Sequence, residues 1–506
     1  MSAQELSPPA ADAEDLGART ARAAGWRLAA TLAASVSRFL VGVLLSRLLT
    51  PSDFGVTAIA FVVLGFVQPL QDLGIGAAVV QRRHLTSRHV RAAFTFTTLL
   101  GLATAAAIML VAPLVAIVMR DARVTPVLRV LSAGLALQAP GGVAGALLRR
   151  RLDFRRVFFV DTASYMVGFG VSIGLALLGK GVWSLVWGGF VQGTLLSAFQ
   201  LAVVRHSVRP LLTTRETRDL LHFGVGWGAS NWINYLALNA DNFLVGRMLG
   251  AASLGLYARA YTLMSLPSTH MASLLSGVLF PAFAEIQADR ARLRRAYLVI
   301  TQLIAIVAAA SMATMVIVAP HLVRSLYGLR WIGVVAPLQI LCGAGYFRAL
   351  YHVGSVVAQS AGQVYRDLRR QALYATLVVT GALVGSVYDL RGVAVGVSSA
   401  ILVMFAATGQ LALSITGSQW RTYARVQLSA LVIAGATGSF ALAARMLLEQ
   451  RRHTSGVIAA GTLASAALPW TLGALWKLGD PDLRPLRARL PRWCNTAVEF
   501  VAHLSA

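Results

Sequence analysis

Several arginines stand inside long apolar stretches of this sequence, where a charge is costly unless it faces water, a partner or a ligand. Arg348 lies near the middle of the stretch 332–358, and His352 follows one helical turn later on the same face. Arg38 is similarly central in the stretch 28–49. Because arginine stays charged and binds phosphate through two parallel hydrogen bonds, these positions indicate an anionic ligand. A structural ion pair buried between helices is the alternative.

Further polar side chains lie at other depths of the apolar stretches. Arg129 and Arg259 are each about six residues inside a stretch, and either could line the outer half of a cavity. Asn231, Asn234 and Asp241 recur at spacings of three and seven, which gives one helix face a polar stripe. Hydrogen bonding between helices explains the stripe equally well.

Two embedded carboxylates are candidates for ion coupling. Asp72 ends the segment QPLQD, in a helix whose proline and glycine residues favour a break that lines a cavity. It could carry a proton or coordinate Na⁺, or it could serve helix packing. Asp241 lies at a depth comparable with Arg259, so the two are plausible ion-pair partners. We expect no cofactor apart from a coupling ion of this kind.

Membrane-spanning helices must position these groups. The chain has 506 residues, of which 57% are hydrophobic and 13% charged, about half the roughly 25% charged share of soluble domains. One helix needs roughly 20 apolar residues to cross a bilayer. Fourteen such stretches occur, at 28–49, 54–80, 92–118, 124–148, 157–179, 181–204, 220–250, 253–283, 296–319, 332–358, 371–388, 392–420, 426–444 and 456–476. The sequence therefore predicts an all-α, polytopic membrane protein.

Basic residues are distributed unevenly between alternate loops. With the N-terminus inside, 30 basic residues fall on the cytoplasmic side and 8 on the other. We therefore expect both termini in the cytoplasm. The net charge of +25 then indicates anionic phospholipids as partners rather than nucleic acid. Arg47, Arg247 and Arg445 stand near the ends of stretches, where their side chains can reach the interface.

An internal repeat relates two parts of the chain. LLSRLLTPSDFGVTA at 44–58 matches LVGRMLGAASLGLYA at 244–258, an offset of 200 residues, although a chance match in apolar sequence is the alternative. The repeat predicts two parallel bundles of six helices related by an axis along the membrane normal, plus two extra helices. The expected segments are a disordered cytoplasmic lead at 1–24, lobes at 25–210 and 211–420, extra helices at 421–477 and a basic cytoplasmic tail at 478–506.

Four segments carry a resemblance to a known family. They are RFLVGVLLSRLLTPSDFGVTAIA, QPLQDLGIGAAVVQRR, DNFLVGRMLGAASLGLYARAYTLMSLP and VLFPAFAEIQAD. They resemble the Wzx-type polysaccharide flippases of the superfamily that includes the multidrug MATE exporters, and in particular the subgroup serving capsule and exopolysaccharide export. The resemblance extends over about residues 25–420 and is most specific over 241–283.

This resemblance implies two six-helix lobes around a central cavity and a lipid-linked cargo. The cargo would be an undecaprenyl-diphosphate-linked oligosaccharide, moved from the cytoplasmic to the outer leaflet by alternating access. Arg348 and Arg38 would then contact the diphosphate in a cationic cavity between the lobes. Their guanidinium groups would replace the hydration that the diphosphate loses as it crosses the membrane. A polysaccharide polymerase or other export machinery is the protein partner that the resemblance implies.

Other functions are compatible with parts of the sequence. A cation-coupled multidrug exporter would need an acidic or apolar cavity, whereas the central residues here are largely arginine. A lipid II flippase has the same fold, but its characteristic motifs are not recognised. A membrane glycosyltransferase or polymerase usually has a substantial external loop with acidic residues, and a scaffold without transport remains an alternative. The sequence has no P-loop, no G-x-S-x-G and no zinc signature, so we expect no enzyme activity.

Overall fold

A computed structural model describes residues 34–82, 85–204, 207, 209–211, 214–274 and 279–478. Inside helices, the side chains of 69–72, 214–215, 219–234, 236–238, 267–274 and 468–478 are outside the description. The described residues are almost entirely helical and contain no strand, as the sequence predicts. The predicted lead 1–24 and the tail beyond residue 478 lie outside the described residues.

The chain divides into two compact units, Met1–Gly255 and Leu256–Ala506. The helices of the first unit are α1 (34–48), α2 (Pro51–Asp72), α3 (Ile75–Gln81), α4 (Ser87–Met119), α5 (Val124–Gln138), α6 (Gly141–Arg150), α7 (Phe154–Leu177) and α8 (Val182–Val203). α9 (Thr214–Leu274) begins in the first unit and ends in the second. Its helical geometry is interrupted at Gly250, where φ is 83°.

The second unit continues with helices that pack around a core rich in alanine, leucine and valine. They are α10 (Phe280–Ile286), α11 (Arg290–Leu326), α12 (Val335–Ser360), α13 (Val364–Ser386), α14 (Leu390–Thr416), α15 (Trp420–Gln450) and α16 (Ser455–Leu478). A 3-10 turn, Leu329–Val334, leads directly into α12. The predicted lobe and segment boundaries stay a prediction.

Many of these helices are long and apolar enough to cross a membrane. Among the described residues eight satisfy that condition, or nine if the bent pair α5 and α6, which turns by 51°, forms one span. α9 has 61 residues, about three times the length that one crossing needs, so the interruption at Gly250 divides it into two stretches. The total of fourteen spans stays a prediction.

Acidic residues between the helices act mainly as N-caps, which satisfy the free amides of a first helical turn. Asp153 accepts a hydrogen bond from the Arg156 amide at 3.2 Å, at the start of α7. Asp289 and Asp389 cap α11 and α14 in the same way. These carboxylates are therefore structural, and the few acids inside helices stand out against them.

The segment after α2 contains the break that its sequence favours. α2 ends at Asp72, Leu73 and Gly74 have φ values of 41° and 67°, and the short helix α3 follows. Arg150 donates to the carbonyls of Val79, Val80 and Arg82 at 2.9, 3.0 and 2.6 Å, which caps the end of α3. Arg150, the last residue of α6, thus stabilises this broken helix.

The two repeated segments touch each other through their glycines. A Cβ at Gly55 would lie 1.6 Å from the Ala251 carbonyl oxygen, and a Cβ at Gly255 would lie 2.0 Å from the Pro51 oxygen. Position 251 corresponds to position 51 under the 200-residue offset, so the contact is reciprocal. Only glycine allows the helices to approach so closely at both positions.

A polar clamp in the first unit fixes the turn between α4 and α5 to the start of α2. Arg123 contacts the Asp121 carboxylate at 2.7 Å and donates to the Ser52 hydroxyl at 2.8 Å. The hydrogen bond from Arg123 holds the pKa of Asp121 below its ordinary value, because it stabilises the charged form. The clamp accounts for two charged residues of an expected external loop.

Candidate functional site

Arg348 lies on α12 inside a cage of tyrosines in the second unit. Its Nη1 donates to the Tyr261 hydroxyl, and its guanidinium carbon lies 5.1 Å from the centre of that ring. Its charge also acts on Tyr351 and Tyr374, whose hydroxyls are hydrogen-bonded to each other and whose rings are 6.0 Å apart. The three tyrosines are called the tyrosine cage below.

The charge of Arg348 has no acidic partner at contact distance among the described residues. Its Nε is buried and makes no hydrogen bond within the described part of the chain. A guanidinium has five N–H groups, and an unused buried donor is unfavourable unless a ligand or water takes it. The cage therefore presents a positive group with spare donors and no neutralising carboxylate.

His352 lies beside this cage, as its spacing from Arg348 predicts. Its ring centre is 4.6 Å from that of Tyr351, and it lies close enough to Arg348 for the two groups to interact electrostatically. The buried Asp367, in the first turn of α13, accepts hydrogen bonds from Ser355 at 2.8 Å and Gln359 at 3.1 Å, which lie near the end of α12. The hydrogen-bond partners of Asp367 are thus neutral side chains, and Asp367 makes no salt bridge with Arg348.

Arg259 is a second arginine of this unit that the sequence places inside an apolar stretch. Its guanidinium carbon lies 5.9 Å from the centre of the Tyr327 ring, a cation–π distance. Its predicted ion pair with Asp241 stays a prediction. Asp241 itself is buried, with 3% of its surface exposed, and accepts from the Asn242 amide at 2.8 Å.

The first unit contains a cavity at the position of Arg38. It has a volume of about 160 Å³ and lies among α1, α7 and α8. Its polar lining includes residues that could bind hydroxyl-rich ligands: Ser37, Arg38, Asp161, Thr162, Tyr165 and Gln192. Phe158 adds an aromatic face. We call this space the Arg38 cavity.

Asp161 distinguishes the Arg38 cavity from the tyrosine cage. It stands seven residues after the start of α7, belongs to the exposed residues of that helix, and lines the cavity. The charges of Arg38 and Arg149 both act on it, but no direct salt bridge joins them in the described part of the chain. The Arg38 cavity therefore contains charges of both signs.

The sequence predicts four further site residues, namely Arg129, Asp72, Asn231 and Asn234. Arg129 is exposed on α5 and lines neither the Arg38 cavity nor the apolar groove described below. Asp72 ends α2, and Asn231 and Asn234 lie on α9, but the side chains of all three are outside the described residues. Their roles, like those of the other site residues, stay predictions.

Arg445 makes the contacts of a helix-end residue, near the end of α15. It contacts Glu449 at 2.9 Å and donates to the Ile317 carbonyl at 3.1 Å. Glu449 also contacts His321 at 2.5 Å, so the ends of α11 and α15 are joined. Arg47 and Arg247 lie near the end of α1 and in the repeated segment of α9, before Gly250.

An apolar groove of about 700 Å³ lies on the second unit among α11, α12, α14 and α15. Aromatic residues form much of its wall, namely Tyr346, Phe347, Phe405, Trp420 and Tyr423. The Tyr346 hydroxyl donates to Gln427, which is the main polar contact at the wall. All four helices are among those that are long and apolar enough to cross a membrane.

Most of the side chains that surround the two arginines are not among those predicted from the sequence. Asp161 lies in a stretch that was identified as a span, and an acid inside such a stretch is a signal that could have singled it out. Tyr261, Tyr351 and Tyr374 carry no comparable signal, since membrane proteins contain many tyrosines at their interfaces. No group of three or more metal-ligating side chains occurs among the described residues.

Solved structures share this fold. The lipid II flippase MurJ in an inward closed conformation aligns with a TM-score of 0.68 at 12% identity, over 89% of this chain and 99% of that one. An inward-facing multidrug resistance MATE family transporter of the MOP superfamily aligns at 0.59 with 18% identity, over 76% and 95%. The fold is thus that of the MurJ and MATE transporters.

Sequence relatives identify the family more closely. The succinoglycan biosynthesis transport protein ExoT of Rhizobium meliloti (strain 1021) is 28% identical over 61% of this chain and 63% of its own length, just under two thirds. The lipopolysaccharide biosynthesis protein WzxC of Escherichia coli (strain K12) is 24% identical over 68% and 70%. The family described as polysaccharide biosynthesis protein matches residues 44–336, which is more than half of the chain. The chain belongs to this family.

Proposed function

We propose that this protein is a flippase for a lipid-linked polysaccharide precursor. The observation that carries the proposal is the uncompensated charge of Arg348 in the tyrosine cage, with a buried Nε that has no partner among the described residues. A diphosphate offers several acceptors to such a group, and arginine binds it with two parallel hydrogen bonds. The names of ExoT and WzxC support transport in polysaccharide biosynthesis.

The substrate we propose is an undecaprenyl-diphosphate-linked oligosaccharide, moved from the cytoplasmic to the outer leaflet by alternating access. The aromatic-walled groove of the second unit suits an isoprenoid chain, because it is apolar and lies on helices that could cross the membrane. The 30 to 8 asymmetry of basic residues supports an orientation with both termini in the cytoplasm and location in the bacterial inner membrane. We propose anionic phospholipids as neighbours of the basic loops, and a polymerase or export machinery as the protein partner.

The experiment measures flipping in proteoliposomes that contain a labelled lipid-linked oligosaccharide. Arg348→Gln should lower the flipping rate about a hundredfold or more, because the diphosphate must then cross without a compensating charge. Arg348→Lys should retain part of the rate, since it keeps the charge but loses the fork. Arg330→Gln is the matched control, because Arg330 is an exposed arginine of the turn before α12. Equal rates for wild type and Arg348→Gln would refute the assignment.

An exporter of cationic drugs is disfavoured by the same residue. A positive group without a carboxylate partner repels a cationic ligand, and the fold alone, which MATE transporters share, does not specify the cargo. For a lipid II flippase the discriminating measurement is substrate preference: lipid II would have to be flipped faster than a lipid-linked oligosaccharide without a peptide. We propose transport rather than catalysis, as the names of the relatives support.

We further propose that a proton or Na⁺ drives turnover through Asp72 or Asp241. Asp241 supports this by its burial, and Asp72 by its place at the break after α2. If Asp241 carries the ion, Asp241→Asn should bind substrate but lose the response of flipping to an imposed gradient. If it only neutralises Arg259, the double variant Asp241→Asn, Arg259→Gln should recover what either single change loses.

A further inference from the structure

The Arg38 cavity differs in chemistry from a phosphate site, and this difference indicates its ligand. Asp161 is exposed seven residues, or about 10 Å, inside the helix α7. A carboxylate at that depth is costly against lipid and is stable only where water or a polar ligand reaches it. Because Asp161 lines the cavity, the cavity must be polar when occupied.

The charges in the cavity oppose binding of an anion. Asp161 and Arg38 line the same cavity, so an anion there would meet a charge of its own sign beside the guanidinium. A diphosphate placed here would meet a carboxylate as well as a guanidinium, and like charges in contact cost several kcal/mol at interfaces in general, so this site is poor for phosphate. A neutral ligand with many hydroxyls can instead donate to Asp161 and accept from Arg38.

The remaining wall provides what a sugar ring requires. Gln192 can donate and accept, Thr162 and Tyr165 carry hydroxyls, and Phe158 offers an aromatic face to the C–H side of a ring. The Ser164 hydroxyl is not available, since it donates to the Val160 carbonyl at 2.8 Å. The volume of about 160 Å³ is below the roughly 300 Å³ of drug-sized sites, so it accommodates a single sugar ring.

We propose that the Arg38 cavity binds one sugar ring of the lipid-linked glycan, with Asp161 accepting hydrogen bonds from ring hydroxyls and Arg38 and Gln192 completing the contacts. This inference rests on the proposed function and assigns the sugar, rather than the diphosphate, to Arg38. The Arg38 cavity then distinguishes one glycan from another, whereas the tyrosine cage binds the diphosphate that these lipid-linked precursors share. Selectivity among sugars resides in the first unit.

The test compares two probes on the purified full-length protein in detergent micelles. One probe is undecaprenyl diphosphate without sugar, and the other is undecaprenyl diphosphate carrying a single glucose, galactose or N-acetylglucosamine. Dissociation constants are measured for each by native mass spectrometry. Wild type should bind at least one sugar-bearing probe about tenfold more tightly than the bare lipid, since hydrogen bonds to a charged group are worth that much.

Asp161→Asn should remove this gain while the bare lipid binds as well as or better than in wild type. Asp161→Glu should keep part of the gain, which a loss of folding could not explain, and an unchanged melting temperature confirms that both variants fold. Glu285→Gln, an exposed carboxylate of α10, is the matched control and should keep the full gain. A gain that persists in Asp161→Asn would overturn the assignment.

The failure of the sugar site and that of the proposed function give different results. If wild type binds the bare lipid but gains nothing from any of the three sugars, the Arg38 cavity is no sugar site and Arg38 with Asp161 is a structural pair. If wild type binds none of the diphosphate lipids, the proposed function itself is wrong. Arg348→Gln should weaken the bare and the sugar-bearing probes by the same factor, because it acts on the part they share.

Discussion

The tyrosine cage and the Arg38 cavity each contain one arginine at membrane depth, yet they differ in what surrounds it. Arg348 is enclosed by Tyr261, Tyr351 and Tyr374, and none of these brings a negative charge at neutral pH. Arg38 shares its cavity with Asp161. An embedded arginine therefore does not define an anion site by itself. The nearest carboxylate decides whether its charge is available to a ligand.

The largest effect should come from giving the tyrosine cage a carboxylate of its own. Tyr374→Glu places a negative charge beside Arg348 and makes the cage resemble the Arg38 cavity, so binding of undecaprenyl diphosphate should weaken about a hundredfold. Tyr374→Gln has a similar size without the charge and should stay within a few fold of wild type. Tyr388→Glu, at an exposed position after α13, controls for a distant charge. Equal losses for the Glu and Gln variants at 374 would attribute the effect to packing.

The reverse change should make the Arg38 cavity more like the cage. In Asp161→Asn the charge of Arg38 is no longer offset, so the protein should bind free inorganic diphosphate about three- to tenfold more tightly. Isothermal titration calorimetry at two salt concentrations measures this, and the gain should shrink at high salt. The double variant Asp161→Asn, Arg38→Gln should lose the gain. If it keeps the gain, the added affinity arises elsewhere.

A smaller effect is expected from the hydrogen bond that holds Arg348. Tyr261→Phe keeps the aromatic face beside the guanidinium but removes the acceptor of its Nη1. Because one such hydrogen bond is worth roughly 0.5–1.5 kcal/mol, flipping should slow about two- to tenfold. Tyr365→Phe changes an exposed tyrosine of α13 and should have no effect in the same proteoliposome assay. A hundredfold loss in Tyr261→Phe would mean that the hydroxyl contacts the substrate directly.

The smallest effect should come from the packing behind the Arg38 cavity. A Cβ at Gly168 would lie 2.6 Å from the Gln192 Cβ, so Gly168→Ala should displace Gln192 and reduce the gain from a sugar about twofold. Gly170→Ala adds the same methyl group to the same helix where nothing lies within 4 Å, and it should leave the gain unchanged. An equal loss in both variants would point to the helix rather than to Gln192.

The helices and the central place of Arg348 could be predicted from the sequence, because both depend on local features. Runs of apolar residues indicate spans, and distance from the ends of a run gives depth. The surroundings of the two arginines could not be predicted in this way. Tyr261 is 87 residues from Arg348 in the chain, and Gln192 and Arg38 come from different helices. The hydrophobic pattern of a single helix does not indicate which other helices it packs against.

The segment around Asp72 shows the same limit at the level of a single helix. Its proline and glycines predict a break, and Leu73 and Gly74 have the positive φ values of one. Arg150 caps the short helix beyond the break, and this is a contact between residues distant in the sequence. From the sequence, Arg150 contributed only to the prediction of which side of the membrane is cytoplasmic. Local rules therefore locate the irregular backbone but not the side chain that stabilises it.

The reciprocal contact of Gly55 with Ala251 and of Gly255 with Pro51 has a consequence for how such a chain can change. Each copy of the repeat offers the same surface to the other, which is the isologous contact of a two-fold symmetric homodimer. Two identical chains that each contained this segment would meet in the same way, each glycine against the backbone of the other segment. A side chain added at either glycine would therefore displace the backbone of the other segment, so neither glycine can be replaced alone.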